Sequence, residues 1–490
     1  MMERQIRRVG IALIALFLAV FVQLNYVQIF AASDIANNGA NSRALIKKYS
    51  VKRGSIVTID EVEIARSVAT RGKYKYKRTY PEGELFAHIT GYLPFAGEAT
   101  GVEAAFNDDL SGEGGTLSMQ DLQDRLLGSG ERGDDVMLSI DSRLQEIARD
   151  SLGENTGAIV ALDPTTGEIR AMYSNPSFDP NPLASFNTGT AEDYYQTLDP
   201  DSGTSPLVAV ATRRTFPPGS TFKVLTASAA LESGRFQPDS TFPDPNELEL
   251  PLTNQTLTNY SNTACTGSGQ IDLFTALRIS CDTTFGIIGL RVPDDIREMA
   301  GRMGFNESLP LEIGTAVSRF PNIPDDEEPL RAYAGIGQGE VAATTLQMAL
   351  IAAAVANGGD VPVPRLLHRI IDASAGTVSE PEPETMGEAM SAQNANDVKR
   401  MMVAVVESGT GTNARIEGIE VAGKTGTAQS AEGANPHAWF IAFAPANDPQ
   451  LVVAVFVQNG GSFGAEATGG LVAAPMAKAL LEADRRLRDW

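Results

Sequence analysis

Phe216-Pro217-Pro218-Gly219-Ser220-Thr221-Phe222-Lys223 decides how the rest of the chain is read. Two prolines and a glycine cannot extend a helix backwards, so the stretch predicts a helix that begins near Ser220. Residues three apart share a helical face, which points Ser220 and Lys223 the same way. A serine at a helix N-terminus has free backbone N–H groups nearby and a positive dipole end. Both stabilise an oxyanion forming on an attacked carbonyl. The dipole end and neighbouring cations also lower the pKa of Lys223, and a neutral amine there can take the Ser220 proton. Ser220 is the only serine followed three positions later by a lysine. Taken alone, the pair reads more readily as an N-capping serine and a solvated lysine.

Lysine usage singles out a second stretch. After Lys77 only Lys223, Lys399, Lys424 and Lys478 remain, and the other cations there are arginines. Arginine cannot release its proton in a protein, whereas lysine can. Lys424 lies in Val421-Ala422-Gly423-Lys424-Thr425-Gly426-Thr427-Ala428. Small residues around a lysine let a ligand approach the backbone of an exposed strand, and Lys424 with the hydroxyls of Thr425 and Thr427 suits a carboxylate. The bland alternative is an ordinary strand and turn. The glycine-rich approach of a nucleotide P-loop is missing. A third stretch, Ile279-Ser280-Cys281-Asp282-Thr283, carries a serine and an acid two apart, which face one side of a turn; singly it says little.

The bulk numbers set limits. The 490 residues suffice for two or three domains. The net charge of −22 repels phosphates and argues against nucleic acid as a partner. Two cysteines and three histidines argue against a Cys-ligated zinc site, a metal cluster or a histidine relay, so no metal or cofactor is expected and the base of an enzyme here is not expected to be histidine.

Arg4, Arg7 and Arg8 precede a stretch free of charge from Val9 to Ser33. The length suits one membrane-spanning helix, with the N-terminus in the cytoplasm and the remainder outside. A cleaved signal peptide, with Phe30-Ala31-Ala32-Ser33 as cleavage region, is the competing reading. The expected organisation is a tip and anchor over 1–33, a small extended module over 34–135, and one large α/β domain over 136–490. In that domain Val136–Ile140 reads as a strand, and Asp141 as a helix cap. Ala158–Leu162 and Ile169–Met172 read as a hairpin, Leu346–Ala356 as a helix, Leu451–Val457 as a strand buried on both faces, and Ala473–Arg488 as a helix.

Ser-x-x-Lys, Ser-x-(usually Asn) and Lys-Thr-Gly, in that order, are the signature set of penicillin-binding proteins and serine β-lactamases. Here they are Ser220–Lys223, Ser280–Asp282 and Lys424–Gly426, and the chain resembles the class B, monofunctional penicillin-binding proteins, most of all actinobacterial members linked to cell division. Arg53-Gly54-Ser55-Ile56, Gly157–Pro176, Gly337-Gln338-Gly339-Glu340 with Thr345–Ala349, and His437–Pro445 extend the likeness over nearly the whole chain. There is no room for a glycosyltransferase domain before residue 136.

The resemblance implies a central antiparallel sheet flanked by helices, following an anchor helix and a dimerisation or pedestal-like module. It implies D,D-transpeptidation of peptidoglycan stem peptides from the lipid-linked precursor, acylation by β-lactam antibiotics, and a membrane glycosyltransferase and division proteins as partners. It implies Ser220 as nucleophile, Lys223 as its base, and Ser280 assisted by Lys424 as proton shuttle. Thr425 and Thr427 would hold the substrate's carboxylate beside Gly426, and the N–H groups of Ser220 and Thr427 would form the oxyanion hole. Asp282 departs from the usual asparagine: an ionised carboxylate cannot donate to a substrate carbonyl. It is expected to pair with Lys223 or Lys424, or to be protonated. Cys265 and Cys281 suggest a disulfide that stiffens the loop bearing Ser280, against two buried thiols. A β-lactamase and a catalytically weak scaffold of the division complex are the alternative functions.

Overall fold

The computed structural model describes residues 2–29, 42–113, 132–324, 327–372, 376–429 and 433–490. The Phe30–Ser33 stretch lies outside them. The first helix runs Met2–Ile29, and its apolar side chains are exposed, Phe17 at 74% and Phe21 at 68%. Its segment Arg4–Tyr26 is 23 residues long, enough to cross a bilayer, and has no burial against the rest of the protein.

Five antiparallel strands form the sheet that carries the site, in the order Ala422–Ala428, His437–Ala444, Leu451–Val457, Gly157–Leu162, Ile169–Asn175. Leu451–Val457 is buried at every residue. It lies at the centre of the sheet with helices on both faces, which is why its sequence is an unbroken apolar run rather than an alternating one. The helix Thr345–Ala356, apolar except for Thr345 and Gln347, is buried along nearly its whole length, and Thr344 caps it by accepting from the Gln347 N–H. The C-terminal helix Ala474–Arg488 lies against the sheet and the helix Ser142–Leu152, whose cap is Asp141.

A second sheet joins the two halves of the chain. Its order is Thr377–Ser379, Leu367–Ile371, Asp135–Leu138, Ile56–Val57, Glu63–Ala69, Tyr76–Thr79. The expected boundary at 135/136 therefore falls on a strand that pairs on one side with residues 56–57 and on the other with 367–371. Beneath this sheet Glu103 is fully buried between Arg53 and Arg78; Arg53 Nε donates to it at 2.7 Å. Two guanidinium groups on one carboxylate hold the Glu103 pKa below its usual value against the opposing effect of burial.

Candidate active site

The turn carrying Ser220 is clamped from three sides. Phe216 exchanges backbone hydrogen bonds with Ala343, and Trp439 Nε1 donates to the Pro217 carbonyl at 3.0 Å. The Gly219 N–H donates to the Gly337 carbonyl at 2.9 Å. Gly337 has φ +70°, and a Cβ there would stand 2.4 Å from Gly219 O, so only glycine lets the turn press this close. Gly219–Phe222 then form a 3-10 turn that runs into the helix Lys223–Glu232. The helix thus starts three residues later than Ser220, with Ser220 half-buried at its mouth and Lys223 fully buried one turn on.

The second motif is a joint between two helices. Leu273–Ile279 ends at Ser280, which has φ +64°, and Cys281 precedes the helix Asp282–Arg291. A serine in the left-handed region costs about 1 kcal/mol or more, and here it turns the hydroxyl and the following carboxylate toward Lys223. Asn259 supports the joint by accepting from the Thr283 N–H at 3.0 Å. Cys265 and Cys281 are joined in a disulfide, Cα–Cα 5.8 Å, that ties the joint to the preceding loop. In the chain-entropy model, closing a loop of this size contributes about 3 kcal/mol. Cys265→Ser is expected to lower the unfolding free energy by about 2–4 kcal/mol in non-reducing urea titrations; an unchanged midpoint would show that the bond does not restrain the loop.

The third motif lies on Ala422–Ala428, an edge of the five-stranded sheet. Strand alternation sends Lys424 and Gly426 to the face of the Ser220 turn and Thr425 and Thr427 to the other. A Cβ on Gly426 would stand 2.9 Å from Pro218 O, and one on Gly219 would stand 2.9 Å from Thr427 O, so turn and strand are in direct contact.

Between these elements four polar side chains converge. Lys223 Nζ donates to Asp282 Oδ1 at 2.7 Å and to the Ser280 carbonyl at 2.8 Å, and lies 3.4 Å from Ser280 Oγ. Lys424 Nζ donates to Ser280 Oγ at 2.8 Å and to Thr425 O at 3.0 Å. Both lysines are fully buried. Burial pushes the Lys223 pKa down, and Asp282 opposes this by its charge and its hydrogen bond. Lys424 is pushed well below its usual value by burial and by the positive charge of Lys223, with Asp282 opposing. Lys223, Ser280 and Lys424 thus form an amine–hydroxyl–amine row in which burial disfavours two simultaneous charges.

Asp282 pairs with Lys223, one of the arrangements expected for it. The threonines are less free than the sequence suggests. Thr425 is 6% exposed and its hydroxyl shares a hydrogen with Thr410 Oγ1 at 2.6 Å; Thr427, half-buried, accepts weakly from the Gly469 N–H at 3.4 Å. Thr410, Asn259 and the Gly469 backbone carry no motif of their own, and only the fold brings them to the site.

Comparison with known proteins agrees with this geometry. The family model described as penicillin binding protein transpeptidase domain matches residues 157–482, and that of the penicillin binding protein A dimerisation domain matches 53–136. The chain is 35% identical to the peptidoglycan D,D-transpeptidase PbpA of Mycolicibacterium smegmatis over 99% of both chains. It is 30% identical to the peptidoglycan D,D-transpeptidase MrdA of Acinetobacter baumannii, over 84% of this chain and 67% of that one. Among solved structures, the penicillin G acyl-enzyme complex of penicillin-binding protein A from M. tuberculosis superposes with a TM-score of 0.83 at 36% identity, over 89% of this chain and all of the other. The chain belongs to the penicillin-binding protein family, carrying its transpeptidase domain behind an N-terminal dimerisation-type domain.

Proposed function

We propose that this protein is a peptidoglycan D,D-transpeptidase that works through an acyl-enzyme on Ser220. The observation that carries the reading is the row Lys223–Ser280–Lys424 set beside the Ser220 turn. Ser220 Oγ attacks the carbonyl between the two terminal D-alanines of a stem peptide, and neutral Lys223 accepts its proton. As the C–N bond breaks, Ser280, backed by Lys424, passes a proton to the departing D-alanine amine. An amine from a neighbouring strand then attacks the acyl-enzyme, and the same row takes up its proton as the cross-link forms and Ser220 is released. The N–H groups of Ser220 and Thr427 face the developing oxyanion. Thr427, with Thr425 released from Thr410, holds the terminal carboxylate, and Gly426 leaves room for the substrate backbone along the strand edge. β-Lactams acylate the same serine.

The helix Met2–Ile29 anchors the chain in the membrane, with the N-terminus cytoplasmic and the transpeptidase domain on the side where peptidoglycan is cross-linked. A membrane glycosyltransferase and division proteins are the partners such an arrangement serves. The test is a stem-peptide analogue ending in D-alanyl-D-alanine, supplied with an acceptor amine. Release of D-alanine with formation of the amide is expected. Rapid turnover of a penicillin would instead make it a β-lactamase, and no acylation by either would make it a scaffold.

Asp282 gives this reading a pH signature. Its carboxylate raises the Lys223 pKa against the effect of burial. Asp282→Asn removes the charge, so Lys223 becomes neutral at lower pH, and the acid limb of the acylation rate moves to lower pH while labelling by penicillin persists. Stopped-flow acylation across pH reads this; an unmoved limb would remove Lys223 as the titrating base, and loss of labelling in a folded variant would make Asp282 indispensable.

A further inference from the structure

The charge of this protein is unevenly placed. Residues 42–78 hold eleven basic and three acidic side chains, a net of +8, in a chain whose total is −22. The ordinary explanation of surface charge is solvation, and part of this charge is also neutralised: Arg53 and Arg78 share the buried Glu103, and Arg66 meets Glu63 at 3.5 Å. Lys47 faces Glu113 at 3.7 Å, with both side chains largely exposed. Lys48, Arg71, Lys73 and Lys75 are exposed and meet no carboxylate within ion-pair distance among the described residues.

These cations are held together. The helix Ser42–Lys48 ends at Tyr49, whose carbonyl accepts from the N–H groups of Lys75 and Tyr76, each at 3.1 Å. This docks Lys47 and Lys48 beside the hairpin Glu63–Ala69/Tyr76–Thr79, whose turn carries Arg71, Lys73 and Lys75. The Tyr49 ring lies 5.8 Å from Tyr74, 5.6 Å from Phe95 and 5.0 Å from Phe186, centre to centre. Because Phe186 lies within the transpeptidase-matched residues, the basic tip is fixed to the domain that bears Ser220. Twelve residues separate Ile29, the end of the apolar helix, from Ser42, and they reach at most about 40 Å. The tip therefore stays within that distance of the end of the anchor.

We infer that this basic tip binds the phosphate headgroups of anionic lipids in the membrane from which the anchor emerges, setting the height and tilt of the transpeptidase domain above it. The inference rests on the anchor reading of Met2–Ile29. Each basic side chain near an anionic surface raises occupancy about fivefold, so four or five act together even where one is negligible.

The test uses the full chain in nanodiscs of phosphatidylcholine alone or with phosphatidylglycerol, following amide hydrogen exchange over 45–79. Slower exchange in the anionic discs is expected, by about tenfold or more. It should disappear in Lys47→Glu/Lys48→Glu/Arg71→Glu/Lys73→Glu and on raising salt from ~0.15 M to ~1 M, where screening shortens from about 8 to about 3 Å. Penicillin labelling reports that the variant is folded. Equal exchange in the two discs would overturn the inference and leave the anchor standing, as would protection that survives in the variant. Failure of the chain to enter either disc would overturn the anchor and the inference with it.

Discussion

Ser220→Ala is expected to form no covalent adduct with a fluorescent penicillin, while unfolding at the same denaturant concentration as the parent. Deleting a covalent nucleophile costs about 10⁴-fold or more, because the remaining machinery has no atom to carry the acyl group. The fold has little reason to change. Ser220 is half-buried, the turn is held by Phe216, Pro217 and Gly219 through their backbones, and alanine suits a helix start. Intact mass distinguishes the outcomes: an adduct retained on the alanine variant would move the nucleophile elsewhere. Ser280 is the hydroxyl to examine then, because two lysine amines lie within 3.4 Å of it.

Which parts of this site can be read from sequence follows from where the information resides. Ser220 and Lys223 are legible because a Pro-Pro-Gly brake and a three-residue spacing are local facts. Lys424, Thr425 and Thr427 are legible as a small-residue strand, and so is Leu451–Val457, whose uninterrupted apolar run tells of cover on both faces. Sequence does not choose the partner of Asp282, because Lys223 and Lys424 are both candidates and only the helix joint at Ser280 selects Lys223. Thr410 and Asn259 carry no signal at all: each acts through one hydrogen bond across the fold. The shared sheet is the other illegible feature. Val136–Ile140 reads as a strand, yet nothing local says that its neighbours are residues 56–57 and 367–371, since register partners far apart in sequence are set by tertiary packing.

Lys223→Arg separates the contacts this lysine makes from the base role proposed for it. As a cation it stands 2.7 Å from Asp282 Oδ1 and 2.8 Å from the Ser280 carbonyl, with its own side chain fully buried. As an amine it has to be neutral to accept the Ser220 proton. Arginine keeps the first role and cannot perform the second, because guanidinium does not give up its proton in a protein. Loss of a general base lowers the rate about 10²–10⁴-fold, and acylation by penicillin is expected to fall by that much. The larger side chain must still be fitted into a full core, at about 1–3 kcal/mol of stability. Lys223→Ala is the contrasting variant: it also removes the base, but strands the Asp282 carboxylate, whose side chain is only 18% exposed, at about 3–5 kcal/mol. The two variants should therefore acylate equally slowly but unfold at different denaturant concentrations. The residual rate of Lys223→Arg should also lose the rise with pH that the neutral lysine imposes. If instead the arginine variant acylates within about fivefold of the parent, the proton of Ser220 leaves by another route, and burial of Lys223 serves the architecture of the Ser280 joint rather than its chemistry.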